Sequence, residues 1–209
     1  MKRGLMISFE GIDGCGKSTQ IAYAAEYLRG LGYDILLTRE PGGCRISEKI
    51  RNIILDVDSA GMNLYTEALL YAAARAQLVD EILIPALEEG KIILCDRFVD
   101  SSAAYQGAGR GMGMDTILQF NQYAIERCMP DVTFFFDFTP EAARLRMSKR
   151  GDADRMESES NEFFERVYRG YCGLCEKYPE RYHRIDVSGS KEETKEIICA
   201  ELQEILKKW

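Results

Sequence analysis

No apolar run in this chain approaches the roughly 20 residues that a membrane-spanning helix needs, so a membrane partner is not expected. Basic residues are in the minority, 27 Lys and Arg against 34 Asp and Glu, for a net charge of −7. That argues against a nucleic-acid surface, which shows as excess Lys and Arg. A phosphate ligand stays open, because local arginines decide it. Repeats and low-complexity linkers are missing, so the 209 residues read as one domain, 1–209, with room for a mobile insert. The opening "MKRGLMISFEG" enters a strand within a few residues and leaves no room for a signal peptide. The seven cysteines are an odd number, scattered except for Cys172 and Cys175, and point to reduced thiols in a cytoplasmic protein. That C-x-x-C pair has no second pair at zinc spacing, and its i, i+3 separation on a helical stretch reads as packing. His183, the single histidine, is given no role.

What is present is concentrated at 10–19, "EGIDGCGKST". Gly11 to Ser18 fit G-x-x-x-x-G-K-[ST], between an apolar run of strand length ("LMISFE") and an amphipathic helix pattern. Such a loop offers backbone N–H groups and a helix N-terminus to nucleotide phosphates. The binding set is Gly11, Ile12, Asp13, Gly14, Cys15, Gly16, Lys17, Ser18 and Thr19, with Lys17 reaching the β- and γ-phosphates. This loop has no basic residue at 12–15, so a further positive charge for phosphoryl transfer has to come from elsewhere.

The rest of the pattern alternates. Strands are predicted at 5–10, 34–39, 91–96, 132–137 and 182–187, and helices at 18–31, 47–55, 66–89, 114–127, 140–149, 161–178 and 191–208. Strands separated by helices predict an α/β fold, a parallel five-stranded sheet flanked by helices. Pro85 predicts a kink or break in the third helix. The charged stretch 149–160, "KRGDADRMESES", lacks apolar periodicity and has the composition of a mobile surface loop, a lid at about 147–160. A second polar stretch, "DSSAAYQGAGRG" (100–111), reads as a Gly-rich loop closing on a small ligand.

Open α/β sheets bind ligands beyond the carboxyl ends of their strands. Asp96 there is placed as a group near Mg²⁺, with Ser18 as a hydroxyl ligand. Arg97 beside it can hold a phosphate in fork geometry. Arg39 of "TREPGG" stands at another strand end, so two arginines could bind a second phosphate facing the first. A guanine-specifying N/T-K-x-D motif is missing, and a second phosphate site suggests an acceptor that is itself phosphorylated. Tyr71 and Arg75 lie four apart on one helix face, where a ring can stack on a nucleobase and a guanidinium can bond an exocyclic oxygen. An ordinary amphipathic helix with a solvated arginine would give the same pattern.

In order and spacing, "FEGIDGCGKSTQ", "TREPGG", "LLYAAARAQ", "DRFVDSSAAYQGAGRG" and "RGDADRMESES" resemble the thymidylate kinases across essentially the whole chain. The resemblance implies a P-loop, nucleoside monophosphate kinase-like fold with a lid. It also implies transfer of the γ-phosphoryl of ATP to dTMP with Mg²⁺, and a homodimer. It implies that Arg39 and Arg97 grip the dTMP phosphate, that Asp13 faces the sugar 3′-OH and that Asp96 acts through Mg²⁺. Tyr71 would stack on thymine, Arg75 would bond its O4, and Ser102 and Gln106 would line the base. Tyr105 would pack under the deoxyribose where a 2′-OH would clash. Arg146 and Arg155 would serve the adenine and lid side. With a P-loop bare of cations, Arg150 of the lid would supply the missing charge, catalytic alongside Lys17, Arg97 and Asp96. Tyr71 stands where the family commonly has Phe, and Ser102 where it often has Asn or Thr. The alternatives are a kinase of the same fold acting on another nucleotide or nucleoside, and a nucleotide-dependent switch without turnover.

Overall fold

The computed structural model describes residues 3–147 and 155–209. Five strands form one sheet: β1 (Leu5–Glu10), β2 (Ile35–Arg39), β3 (Ile92–Asp96), β4 (Val132–Asp137) and β5 (Tyr182–Asp186). Their order is β2-β3-β1-β4-β5, and every neighbouring pair is parallel. Each strand starts and stops within one residue of the sequence expectation. A parallel sheet needs cover on both faces, and the strand residues alternate accordingly. Leu5, Ile7, Phe9, Ile92 and Leu94 enter one hydrophobic core, while Met6, Ile93 and Cys95 enter the other.

The helices that position the site are α1 (Lys17–Gly30), α2 (Arg45–Leu55) and α3 (Leu64–Leu78). α3 continues through a π turn, Val79–Leu83, into α4 (Ile84–Glu88). At Pro85, where a kink or break was expected, the helical run continues and only its hydrogen-bond ladder changes. The proline has no N–H for the carbonyl four residues back, and the ladder widens to i→i+5 just before it. The helix expected at 114–127 is two, α6 (Met114–Phe120) and α7 (Gln122–Arg127), parted at buried Asn121. The remaining helices are α8 (Pro140–Met147), α9 (Asn161–Lys177) and α10 (Lys191–Lys208), the last opened by a Ser190–Glu193 capping box.

One expectation is corrected. Most of 100–111 is not a loop: Val99–Ser102 is helical (α5) and Ala103–Gly109 continues as a π segment, leaving only 110–111 outside it. The small residues serve close packing, because this segment lies against α9. A Cβ on Gly109 would sit 2.7 Å from Phe163 and 2.8 Å from Val167, and one on Gly170 would sit 2.8 Å from the Ala108 Cβ. Composition alone does not separate glycine used for approach from glycine used for a turn. The expected lid falls partly outside the described residues, with 155–160 inside them. Among the described residues no helix is long and apolar enough to cross a membrane.

The centre of the sheet sets the stability of the frame. Phe134 of β4 is fully buried, edge-on to Phe9 at 5.4 Å. Phe134→Ala is expected to cost about 3–5 kcal/mol, from lost apolar burial plus the cavity left behind. Denaturant titration measures it, and a cost below about 1 kcal/mol would mean that the core refills the space.

Candidate active site

The carboxyl ends of β1, β2 and β3 stand side by side, with Phe9 and Arg39 both in register with Asp96. Three clefts meet above them. The inner one is lined by Pro41, Leu55, Tyr71, Arg75, Ser101, Ser102, Tyr105, Gln106 and Met156. The middle one runs over the phosphate loop and is lined by Gly14, Gly16, Lys17, Ser18, Thr19, Arg39 and Asp96. The outer one lies between that loop, Arg146 and the start of α10. Asp13, Glu40, Arg51 and Arg97 line both inner and middle clefts, and Gly14, Gly16 and Thr19 both middle and outer. The three therefore form one trough.

In the phosphate loop, Gly16 takes the left-handed conformation, φ 97°, and α1 starts at Lys17. The Lys17 ammonium donates to the carbonyls of Gly11 and Ile12 at 2.9 and 3.0 Å, and beside it Cys15 is buried. Ser18 Oγ donates to Asp96 Oδ2 at 3.2 Å. That pair is an all-oxygen donor set over the middle cleft, the chemistry that a hard divalent cation takes.

Arg97 leaves β3 with φ 71°, the one non-glycine residue at positive φ among those described. A backbone of this kind costs on the order of 1–3 kcal/mol and persists only where its surroundings enforce it. It turns the guanidinium across the trough, 5.1 Å from the centre of the Tyr105 ring. Nη2 donates to Asp13 Oδ1 at 2.7 Å and to Tyr105 Oη at 3.3 Å, while the Tyr105 hydroxyl donates to Asp13 Oδ2 at 3.1 Å. Burial alone would raise the Asp13 carboxyl, but Arg97 and Lys17 pull it down to about 2.

Arg75 is not solvated. It is 2% exposed and donates from Nε to Glu40 Oε2 at 2.8 Å, from Nη1 to Asn121 Oδ1 at 2.5 Å and from Nη2 to the Phe98 carbonyl at 3.2 Å. Asn121 is fixed by its own Nδ2, which donates to the Ile117 carbonyl at 2.8 Å. Burial raises Glu40 to about 7, with Arg75 acting against the rise. These partners hold the guanidinium where it borders the inner cleft. In the same cleft, Ser102 Oγ is buried and has no partner among the described residues.

Of the expected residues, Tyr71, Arg75, Ser102, Tyr105 and Gln106 meet in the inner cleft, joined by Asp13 and Arg97. Arg39 lines only the middle cleft, bound through both Nη atoms to Glu48 at 2.7 and 3.2 Å. Arg146 lies over the Phe138 ring at 4.2 Å, beside the outer cleft. Arg155 is corrected. Instead of joining Arg146, it is buried on the inner side, where Nε donates to the Ile54 carbonyl at 2.7 Å and Nη1 pairs with Glu67 at 2.7 Å. Glu67 is wholly buried and also accepts from Gln106 and Arg110, so it offers a partner that the outer cleft lacks. Arg150 and Lys149 lie outside the described residues.

Two functional candidates were missed from the sequence. Arg51 borders inner and middle clefts and donates to the Pro41 carbonyl at 2.9 Å. Its signal was its spacing from Leu55, four apart on the cleft face of α2. Glu10 is the other, a carboxylate closing a strand whose every residue is buried.

The thymidylate kinase family matches residues 9–198. A thymidylate kinase of Thermoanaerobacter sp. (strain X514) is 52% identical over 184 residues, 88% of this chain and 90% of that protein. One from Oceanobacillus iheyensis is 47% identical over 207 residues, 96% of this chain and 92% of the relative. The crystal structure of thymidylate kinase from Ehrlichia chaffeensis superposes with a TM-score of 0.79 at 34% identity, covering 96% of this chain and 99% of that one.

Arg75→Leu tests the inner cleft as a built site. It strands Glu40 and Asn121 in the interior, and breaking a buried pair costs about 3–5 kcal/mol. For a chain of this size the thermal midpoint should fall by on the order of 10 °C. An unchanged midpoint would return Arg75 to the status of a surface residue.

Proposed function

The chain belongs to the thymidylate kinase family, and we propose that its trough divides the family's reaction between the three clefts. The enzyme transfers the γ-phosphoryl group of ATP to dTMP, giving dTDP and ADP. The reading assigns thymidine to the inner cleft, the reacting phosphates to the middle one and adenine to the outer one. The observation that carries it is the continuity of the trough, with Asp13 and Arg97 at the junction where the two substrates must meet. At the inner end, Tyr71 stacks on the base, Arg75 and Ser102 bond its edge beside Gln106, and Tyr105 crowds the sugar 2′ position. Arg97 and Arg51 hold the acceptor phosphate, while Asp13 faces the sugar hydroxyl and Arg39 approaches from the Glu48 side. Lys17 and the loop amides from Gly11 to Thr19 hold the donor phosphates. Arg146 lies along the adenine.

Ser18 and Asp96 would hold Mg²⁺, which supplies charge neutralisation at the phosphate oxygens. A general base is not needed, because the acceptor is an anionic phosphate oxygen and catalysis is positioning plus charge. Arg150, from a lid at about 147–160, brings the cation that positions 12–15 lack. The lid excludes water from the transfer. The protein is cytoplasmic, a single domain and a homodimer. Ile46 and Ile53 of α2 and Leu69 of α3, all exposed, support a second copy packing on that face.

An ADP-release assay with dTMP, dUMP, UMP and dCMP tests the substrate assignment, and the highest kcat/KM is expected for dTMP. A higher value for UMP or dCMP would refute the inner-cleft reading. Lys17→Ala is expected to abolish nearly all turnover in a chain that still folds, with some loss of thermal midpoint because the buried ammonium donates to the Gly11 and Ile12 carbonyls. A folded variant with normal kcat would remove Lys17 from the mechanism. Arg150→Ala should lower the single-turnover rate at saturating ATP at least about 100-fold, since an arginine acting on the transferred group is worth on the order of 10³–10⁵. Retention of more than about half the rate would leave the charge to Lys17, Arg97 and Mg²⁺.

A further inference from the structure

Behind Arg97, on the side away from Asp13, lies a polar cluster that the reaction as described does not use. Glu10, fully buried at the end of β1, accepts from the Phe98 N–H at 2.7 Å through Oε1. Through Oε2 it accepts from Ser101 Oγ at 2.6 Å and from Tyr171 Oη at 3.0 Å. Those two hydroxyls in turn accept from Arg97 Nη1, at 3.1 and 3.3 Å. Two elements, α5 and α9, thus meet at one guanidinium nitrogen, and Glu10 of β1 binds both of their hydroxyls.

Hydrogen counting makes the arrangement directional. A hydroxyl has one hydrogen and two acceptor sites, and an ionised carboxylate only accepts. With both hydroxyl hydrogens directed at Glu10, both oxygens turn their lone pairs to Arg97. We propose that Glu10 is a positioning residue for the acceptor phosphate: by claiming the hydrogens of Ser101 and Tyr171, it makes them the acceptors that hold Arg97 at the cleft junction. The proposal rests on the reading of Arg97 as a ligand of the dTMP phosphate.

A neutral group of the same shape inverts the polarity. With Gln at position 10, the amide oxygen stays on the Phe98 N–H and the amide nitrogen donates to the hydroxyls. One hydroxyl can turn its hydrogen to the other, 2.8 Å away, but the last hydrogen then faces the donors of Arg97. Burial raises the Glu10 carboxyl to about 7, and Asp100 adds to the rise, while Ser101, Arg97 and the Phe98 N–H act in the opposite direction.

The test compares binding of dTMP and of thymidine, which lacks the phosphate, by calorimetry. It is run at about pH 8, where the acceptor phosphate is fully ionised. Glu10→Gln is expected to weaken dTMP about 10- to 100-fold, the scale of hydrogen bonds to a charged group, and to leave thymidine within about twofold. Adding Arg97→Ala to Glu10→Gln should lower dTMP affinity no further than Arg97→Ala alone. Equal losses for both ligands would make Glu10 a structural residue and overturn the proposal, as would an unchanged preference for dTMP. If Arg97→Ala itself leaves that preference intact, the phosphate role of Arg97 fails, and the proposal falls with it for a different reason. If Glu10→Gln does not fold, Tyr171→Phe carries the test, since it removes one acceptor and keeps the ring stacked on Phe135. A selective loss for dTMP supports the proposal, and an unselective or absent one overturns it.

Discussion

The ion pair between Asp13 and Arg97 is the contact on which the site depends. It joins the phosphate loop that follows β1 to the turn that follows β3, at 2.7 Å. Both strands have to end level for it to form, and the register of Phe9 with Asp96 makes them do so. The turn itself is unfavourable, since Arg97 sits at φ 71°. Contacts with Asp13, Tyr105, Ser101 and Tyr171 all bear on the same guanidinium and offset that cost. A residue held from so many directions is preorganised, so a phosphate arriving at the junction meets a charge already in place.

The inner cleft shows the same economy at a second arginine. Glu40, Asn121 and the Phe98 carbonyl fix Arg75 from behind and let its remaining edge face the ligand space. Glu67 gathers Gln106, Arg110 and Arg155 in the same way, tying the described end of the lid stretch to the wall of the cleft. Buried cations are costly when unpaired, and each here has a carboxylate within reach. The trough is therefore lined by side chains whose positions are set by a second layer of buried polar groups.

Much of this was legible in the sequence, and the reason differs by residue. The five strands were readable because each is a short apolar run bounded by polar residues, and a parallel sheet buries both faces of such runs. Tyr71 and Arg75 were readable as one helix face, since i and i+4 are fixed by helix geometry. The π segment at 103–109 was not, because glycine and alanine there answer to Phe163, Val167 and Gly170, which are distant in sequence. Arg155 was assigned to the wrong side for a related reason. Its neighbours in sequence are charged, but the partner that captures it, Glu67, lies on a helix far earlier in the chain. Glu10 and Asn121 carry no local pattern beyond their residue type and Arg51 only its four-residue spacing from Leu55, and their roles exist only once β1, α2 and the α6–α7 junction are packed around the two arginines.

On the proposed reading, donor and acceptor meet at Asp13 and Arg97, where the inner and middle clefts join. Calorimetry with a bisubstrate compound, adenosine joined to thymidine through a chain of phosphates, tests it most directly. One equivalent is expected to bind per chain, to be displaced by ATP and by dTMP alike, and to be weakened by Arg97→Ala. Displacement by only one of the two substrates would mean that donor and acceptor do not meet at this junction.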